Sequence, residues 1–183
     1  MAVHRPLTDR RGRAQLTVGK PRAVQFSRRS GRRGGRPVQI FKDLSAMQAK
    51  WSDINISLVD DRVVDTNHDD SNEKLVNNVL IKDEAKDANF ISLCNQYKDL
   101  LNLKRPFGIM LLGMGEDGHF ASLFPKLIET NPEYFDLESD PEIFFTEPMG
   151  NPCHRRVSMN LSMILESKDI FFNLKNIVGP VFV

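Results

Sequence analysis

The chain has 183 residues, 40% of them hydrophobic, and a formal net charge of +1, which is enough apolar material for one domain with a substantial core. No apolar run approaches the roughly eighteen residues of a membrane-spanning helix, which excludes that class. Cys94 and Cys153 stand far apart without metal-ligand spacing, so neither a disulfide framework nor a zinc module is indicated, and a soluble cytoplasmic protein is the expectation.

The near-zero net charge conceals a division. Residues 1–36 carry 11 Lys/Arg against one acid, Asp9, leaving the remainder at −9, so the two parts obey different compositional rules. Ser27–Pro37 (SRRSGRRGGRP) has almost no apolar side chain to offset its ordering entropy, and residues 1–37 read as a disordered basic arm preceding a domain over 38–183. Such an arm can contact nucleic-acid phosphates, but Phe26 is its only aromatic, so no nucleic-acid partner is expected. It also has the Arg-rich, acid-poor character of a mitochondrial transit peptide, without a clear amphipathic helix. Within it, Ala14–Pro21 (AQLTVGKP) reads as a short strand ending in a turn at Gly19 and Lys20.

Val38–Phe41 is a short apolar run, and Leu44, Met47 and Trp51 fall at helical spacing, predicting a short helix over Leu44–Trp51. Ile54–Val59 (INISLV) alternates polar and apolar with β-branched residues, a strand pattern. It runs into Asp60, Asp61 and Arg62. At a strand's carboxyl end Arg62 could grip a phosphate with its rigid fork of donors; the alternative is a surface arginine paired with its neighbouring acids. Asp70 followed by Glu73 forms a capping box opening a helix through Lys82. His68, in the loop before it, has no second histidine or cysteine at metal spacing, so it reads as a solvated histidine and no metal site is expected. Asn89–Leu93 reads as a strand and Gln96–Leu103 as a helix.

Phe107–Leu112 is an apolar run that stops at Gly113 and Gly115, passes two carboxylates including Asp117, and delivers His119. Strand, tight loop, helix is the pattern of a ligand site at the carboxyl end of a sheet. Glycine there lets backbone N–H groups approach an anion, and a histidine can move protons near neutral pH. A tight turn with a surface histidine is the plainer alternative. Ser122 follows closely, but the chain has no G-x-S-x-G elbow, which argues against a serine hydrolase. Beyond Pro125, residues 131–152 are acidic and proline-rich and read as a long surface connection with an edge strand at Ile143–Thr146. Arg155–Met159 reads as a strand, Asn160–Glu166 as an amphipathic helix and Ile170–Leu174 as a last buried strand. The alternation predicts an α/β fold, an open, mostly parallel Rossmann-like sheet with helices on both faces.

The string GMGEDGHFASLFP, residues 113–125, resembles the signature loop of the 6-phosphogluconolactonase family. A sibling family of the same fold, the glucosamine-6-phosphate deaminases and isomerases, shares a glycine-Asp-Gly-His loop but continues Ile-Ala-Phe-Asn-Glu. Here Phe120, Ala121, Ser122, Leu123 and Phe124 follow, so the lactonase side is favoured. Asp60, Asp61, Arg62, Val63 and then Asp70, Ser71, Asn72 are similar to that family's Ser-Asp-Glu-Arg-x-Val and Asp-Ser-Asn segments, with Asp61 standing where glutamate is usual. Arg156-Val157-Ser158 is similar to its Arg-Ile/Val-Ser/Thr pattern, and Thr17–Pro21 to a shortened phosphate loop. The family's C-terminal glycine-containing loop is not reproduced over Asn173–Gly179, so the sheet is expected to be incomplete at both ends.

The resemblance implies hydrolysis of 6-phospho-D-glucono-1,5-lactone in the oxidative pentose phosphate pathway. It also implies roles. His119 is the expected base and Asp117 orients it; Gly113 and Gly115 border the oxyanion; Arg62, Arg156, Gly19 and Lys20 hold the phosphate, with a solvated surface arginine the alternative for Arg156. A lactone carbonyl is already electrophilic, so no cofactor or metal is expected, and the partner is a small phosphorylated sugar lactone rather than a membrane. The alternatives are an impaired homologue acting as a binding module, or a related sugar-phosphate isomerase or deaminase.

Overall fold

The computed structural model describes residues 22–26, 36–115 and 117–173. In chain order the strands are Arg22–Phe26 (β1), Ile54–Leu58 (β2), Asp60–Arg62 (β3), Asn89–Ile91 (β4), Phe107–Gly113 (β5), Ile143–Phe145 (β6), Arg156–Met159 (β7) and Ser167–Asn173 (β8). The helices are Arg36–Ser45 (α1), Asn72–Val79 (α2), Tyr97–Leu101 (α3), Leu127–Thr130 (α4) and Leu161–Leu165 (α5). Five strands form a parallel sheet in the order β4-β2-β1-β5-β8, and β3-β7-β6 form a smaller antiparallel sheet. The expected open parallel architecture is present. The second sheet is an addition that the strand pattern did not foretell.

Parallel strands need both faces covered, which is why β2 and β5 are so apolar. Ile56, Leu58, Phe107, Met110 and Leu112 are essentially inaccessible, each worth about 1.5–3 kcal/mol of burial. They merge with Leu80, Leu93 and Leu100 and with Val157, Met159 and Met163 from the smaller sheet and α5 in one core. The buried Ser57 hydroxyl donates to the Ile91 carbonyl at 2.8 Å, so a polar residue inside β2 is satisfied by the neighbouring strand.

Five expectations need correction. β1 lies inside the predicted arm yet occupies the middle of the sheet, with Val24 in register with Ile56 on one side and Ile109 on the other; the ordered domain therefore starts well before residue 38. The predicted strand at 14–21, with Gly19 and Lys20, lies outside the described residues, as do 27–35. The first helix runs over Arg36–Ser45 rather than Leu44–Trp51. Its buried Phe41 meets the core, while Trp51 sits in a 3₁₀ turn with its indole N–H donating to the Met47 carbonyl at 2.9 Å.

At α2 the cap is Ser71, whose side chain accepts the Lys74 N–H at 3.1 Å, not Asp70. Glu73 does not reach back to close a box; it accepts from the Ser92 hydroxyl at 2.6 Å. Ile170–Leu174 was expected to be buried, but β8 is the outer strand of the sheet among the described residues, and Phe171 is 54% exposed. The acidic connection after Pro125 is more than surface loop. Residues 131–152 contain a 3₁₀ turn at Pro132–Phe135 and β6, and stack Tyr134 on Phe144 at 3.8 Å.

Candidate active site

The signature loop leaves β5 at Gly113 and folds back on itself through a bridge between Met114 and Phe120. The Gly115 N–H donates to the His119 carbonyl at 2.7 Å, and the Gly118 N–H to the Gly115 carbonyl at 3.2 Å. Gly118 has φ +86°, a left-handed conformation that glycine adopts without a Cβ penalty. This tight ring presents the His119 imidazole, whose Nδ1 is hydrogen-bonded to the Asp117 carboxylate. Partial burial disfavours the Asp117 carboxylate, but the hydrogen bond and charge of His119 and the backbone N–H groups outweigh it and hold its pKa below the usual range. An ionised Asp117 accepts a proton-bearing Nδ1, which leaves Nε2 as the lone-pair nitrogen, the tautomer a general base needs.

Gly115 is required for a second reason. A Cβ at this position would overlap the His119 imidazole and stand 2.6 Å from Asp117 Oδ1, so no side chain fits without displacing the base. Gly115→Ala is expected to keep the fold, because the clash is with two mobile side chains, yet to lower turnover about 10²-fold through a misplaced imidazole. Circular dichroism together with the turnover rate checks this. The Gly115 N–H, expected to border an oxyanion, donates here to the His119 carbonyl, and Gly113 is the last residue of β5, in register with Asn173 of β8.

The second half of the site comes from the antiparallel sheet. Arg62 on β3 and Arg156 on β7 are register partners, and both residues are almost fully buried. Arg62 Nη1 donates to Asn72 Oδ1 at 2.8 Å and to the Asp70 carbonyl at 3.0 Å, while its Nε is buried without a partner. Arg156 donates through Nη2 to the Pro152 carbonyl at 2.9 Å and the Met149 carbonyl at 3.3 Å. Burial, and then the Arg62 charge, lower the Arg156 pKa against the pull of Asp60, Asp61 and Asp70. Neither guanidinium forms an ion pair within 4.0 Å among the described residues. Two buried like charges with a spare donor are costly on their own and are relieved by a multivalent anion. The surface-arginine alternative does not describe either residue.

Phe124 joins the two halves. Its ring stacks on His119 with centroids 4.4 Å apart, and Arg156 Cζ lies 5.8 Å from the same centroid. The imidazole and that guanidinium are therefore separated by at most 10.2 Å. His119, only 12% exposed at its side chain, is packed on one face and reaches the site with its edge.

Several supporting residues were not visible in the sequence. Asp61 accepts the N–H groups of Arg62 (2.7 Å), Asn72 (2.7 Å) and Glu73 (3.0 Å), binding the start of α2 to β3 and so placing Asn72 against Arg62. Burial overcomes those three hydrogen bonds and pushes the Asp61 pKa up to about 6 from 3.8. A carboxyl whose pKa is raised on folding contributes stability that is complete below the unfolded value and lost as pH rises through the folded one. Between pH about 4 and about 6 the unmutated chain should thus lose stability on raising pH, and Asp61→Asn should flatten that decline; urea midpoints across this range test it. Ser122 is no nucleophile. It is fully buried, its hydroxyl donates to Asp60 Oδ2 at 2.8 Å, and its N–H donates to the Ser158 hydroxyl at 3.2 Å, fastening the signature loop to the antiparallel sheet. His68 is not simply solvated either: Asp70 and His154 lie beside it, the latter brought in from 84 positions beyond Asp70.

Comparison with known proteins gives the chain its relatives. A family profile described as glucosamine-6-phosphate isomerases/6-phosphogluconolactonase matches residues 31–176. A 6-phosphogluconolactonase of Helicobacter pylori is 37% identical over 155 residues, covering 79% of this chain and 65% of that protein. One from Pseudomonas aeruginosa is 40% identical over 150 residues, covering 74% and 61%. A solved 6-phosphogluconolactonase structure from Shewanella baltica superimposes with a TM-score of 0.68 at 30% identity, covering 84% of this chain and 66% of that one. The chain thus spans about two thirds of the length of these relatives. With residues 31–176 matched by the family profile, the chain belongs to the glucosamine-6-phosphate isomerase/6-phosphogluconolactonase family.

Proposed function

We propose that this chain hydrolyses 6-phospho-D-glucono-1,5-lactone to 6-phosphogluconate. The observation that carries the proposal is a histidine whose Nδ1 is held by Asp117 and whose ring shares Phe124 with the buried Arg156, itself the register partner of the buried Arg62. The arginines take the phosphate, which fixes the sugar ring and converts encounter into a positioned reaction. His119 Nε2 removes a proton from a water as its oxygen attacks C1 of the lactone. The tetrahedral intermediate collapses by breaking the C1–O5 bond, and the imidazolium returns its proton to O5. The acid product then ionises.

Lactone disappearance measured against its spontaneous hydrolysis tests the proposal; a rate equal to a buffer blank overturns it. One observation favours the rival reading, binding without turnover: the Gly115 N–H that would steady the oxyanion is already bonded to His119. Under that reading the phosphorylated sugar binds but the blank rate persists. No described helix is long and apolar enough to cross a membrane, and the polar substrate fits a cytoplasmic setting.

A further inference from the structure

Two loops that border the arginine pair carry a cluster the reaction does not use. His68 and Asp70 lie between β3 and α2, and His154 lies just ahead of β7. We propose that His68, Asp70 and His154 form a separate site for a zinc-type divalent cation. One ring nitrogen from each histidine and a carboxylate oxygen of Asp70 all lie within 4.8 Å of one another.

The spacing decides for an ion. Zinc bonded to imidazole nitrogen and carboxylate oxygen at about 2.0–2.1 Å in a tetrahedron needs donors about 3.3 Å apart. Asp70 Oδ2 stands 2.9 Å from His154 Nε2 and 3.8 Å from His68 Nδ1, straddling that value. The 3.8 Å separation is too long for a hydrogen bond, so the His68 ring stands beside the carboxylate without bonding to it. The Asp70 N–H donates to His68 Nδ1 at 3.1 Å, which marks that nitrogen as carrying a lone pair. An incoming ion takes over that lone pair and displaces the proton shared between His154 and Asp70.

The ligands are also of the right character and access. Two imidazoles and a carboxylate are ligands of the type that zinc takes. The side chains of His68, Asp70 and His154 are 47%, 36% and 26% exposed, leaving a coordination position open to water or a small ligand. The two rings meet edge to face at 5.6 Å, and the exposed His68 ring has room to close the last gap. Because the Asp70 carbonyl accepts from Arg62, the ion would pin the backbone that braces the phosphate grip.

The test uses the full chain without substrate, so its outcome is independent of the lactonase reading. Zinc chloride is titrated calorimetrically, and cobalt chloride is followed by the visible band of tetrahedral Co²⁺. The expected result is one ion per chain, with affinity lower by at least about tenfold in His68→Ala, His154→Ala and Asp70→Asn. The last keeps side-chain size, and circular dichroism confirms that each variant folds. Cys153→Ser, which removes the exposed thiol beside His154, and His119→Ala should bind as the unmutated chain does. Equal affinity in the unmutated chain and the His68 and His154 variants, or loss of binding in Cys153→Ser or His119→Ala alone, would overturn the proposal.

Discussion

His119→Ala is expected to lower kcat/KM for lactone hydrolysis by about 10²–10⁴-fold, the usual contribution of a positioned general base, with little change in KM. The asymmetry follows from where the imidazole sits. It packs on Phe124 and bonds to Asp117, so its removal deletes the group proposed to take the water proton but leaves the arginine pair intact. Asp117→Asn should act through the same ring more mildly. The amide cannot offer a full negative charge to Nδ1, and its NH₂ group can face the ring and favour the wrong tautomer. Initial rates over a range of lactone concentrations, corrected for spontaneous opening, separate the two parameters. A His119→Ala rate indistinguishable from that of the unmutated chain would remove the base from the mechanism.

The loop that carries His119 was legible because its information is local. Gly115, Asp117, Gly118 and His119 lie within five positions, and their geometry is set by backbone hydrogen bonds within the loop. The apolar runs of β2 and β5 were legible for the same reason, since a buried parallel strand announces itself by composition. What escaped is long-range. Arg62 and Arg156 were each recognisable as candidate anion contacts, but only the antiparallel register of β3 against β7 makes them one site. Asp70 looked like a helix cap because Glu73 follows three residues later. Its side chain instead answers to His154, and the adjacent Ser71 takes the cap. β1 was hidden by its arginine-rich surroundings, which compositional reasoning assigned wholesale to a disordered arm.

Arg62→Ala should raise KM for the phosphorylated lactone by about 10–100-fold, the effect of losing hydrogen bonds to a charged group worth about 1.5–3 kcal/mol, while kcat falls much less. Its effect on stability is the more informative half. The substitution strips the Asn72 side chain and the Asp70 carbonyl of a donor, a penalty of about 1–3 kcal/mol. It also removes a buried charge that faces Arg156 and carries an unpartnered Nε, which returns free energy of the same order. The two contributions oppose, so the thermal midpoint should move little even though the residue is almost wholly enclosed. Arg62→Lys keeps the charge but not the planar fork, and should recover only part of the lost affinity. A guanidinium whose loss spares the fold but weakens substrate binding is held in place for its ligand, and inorganic phosphate should then stabilise the unmutated chain more than the alanine variant. If both variants bind substrate as the unmutated chain does, the anion is gripped elsewhere, and Arg62 serves only to brace the start of α2.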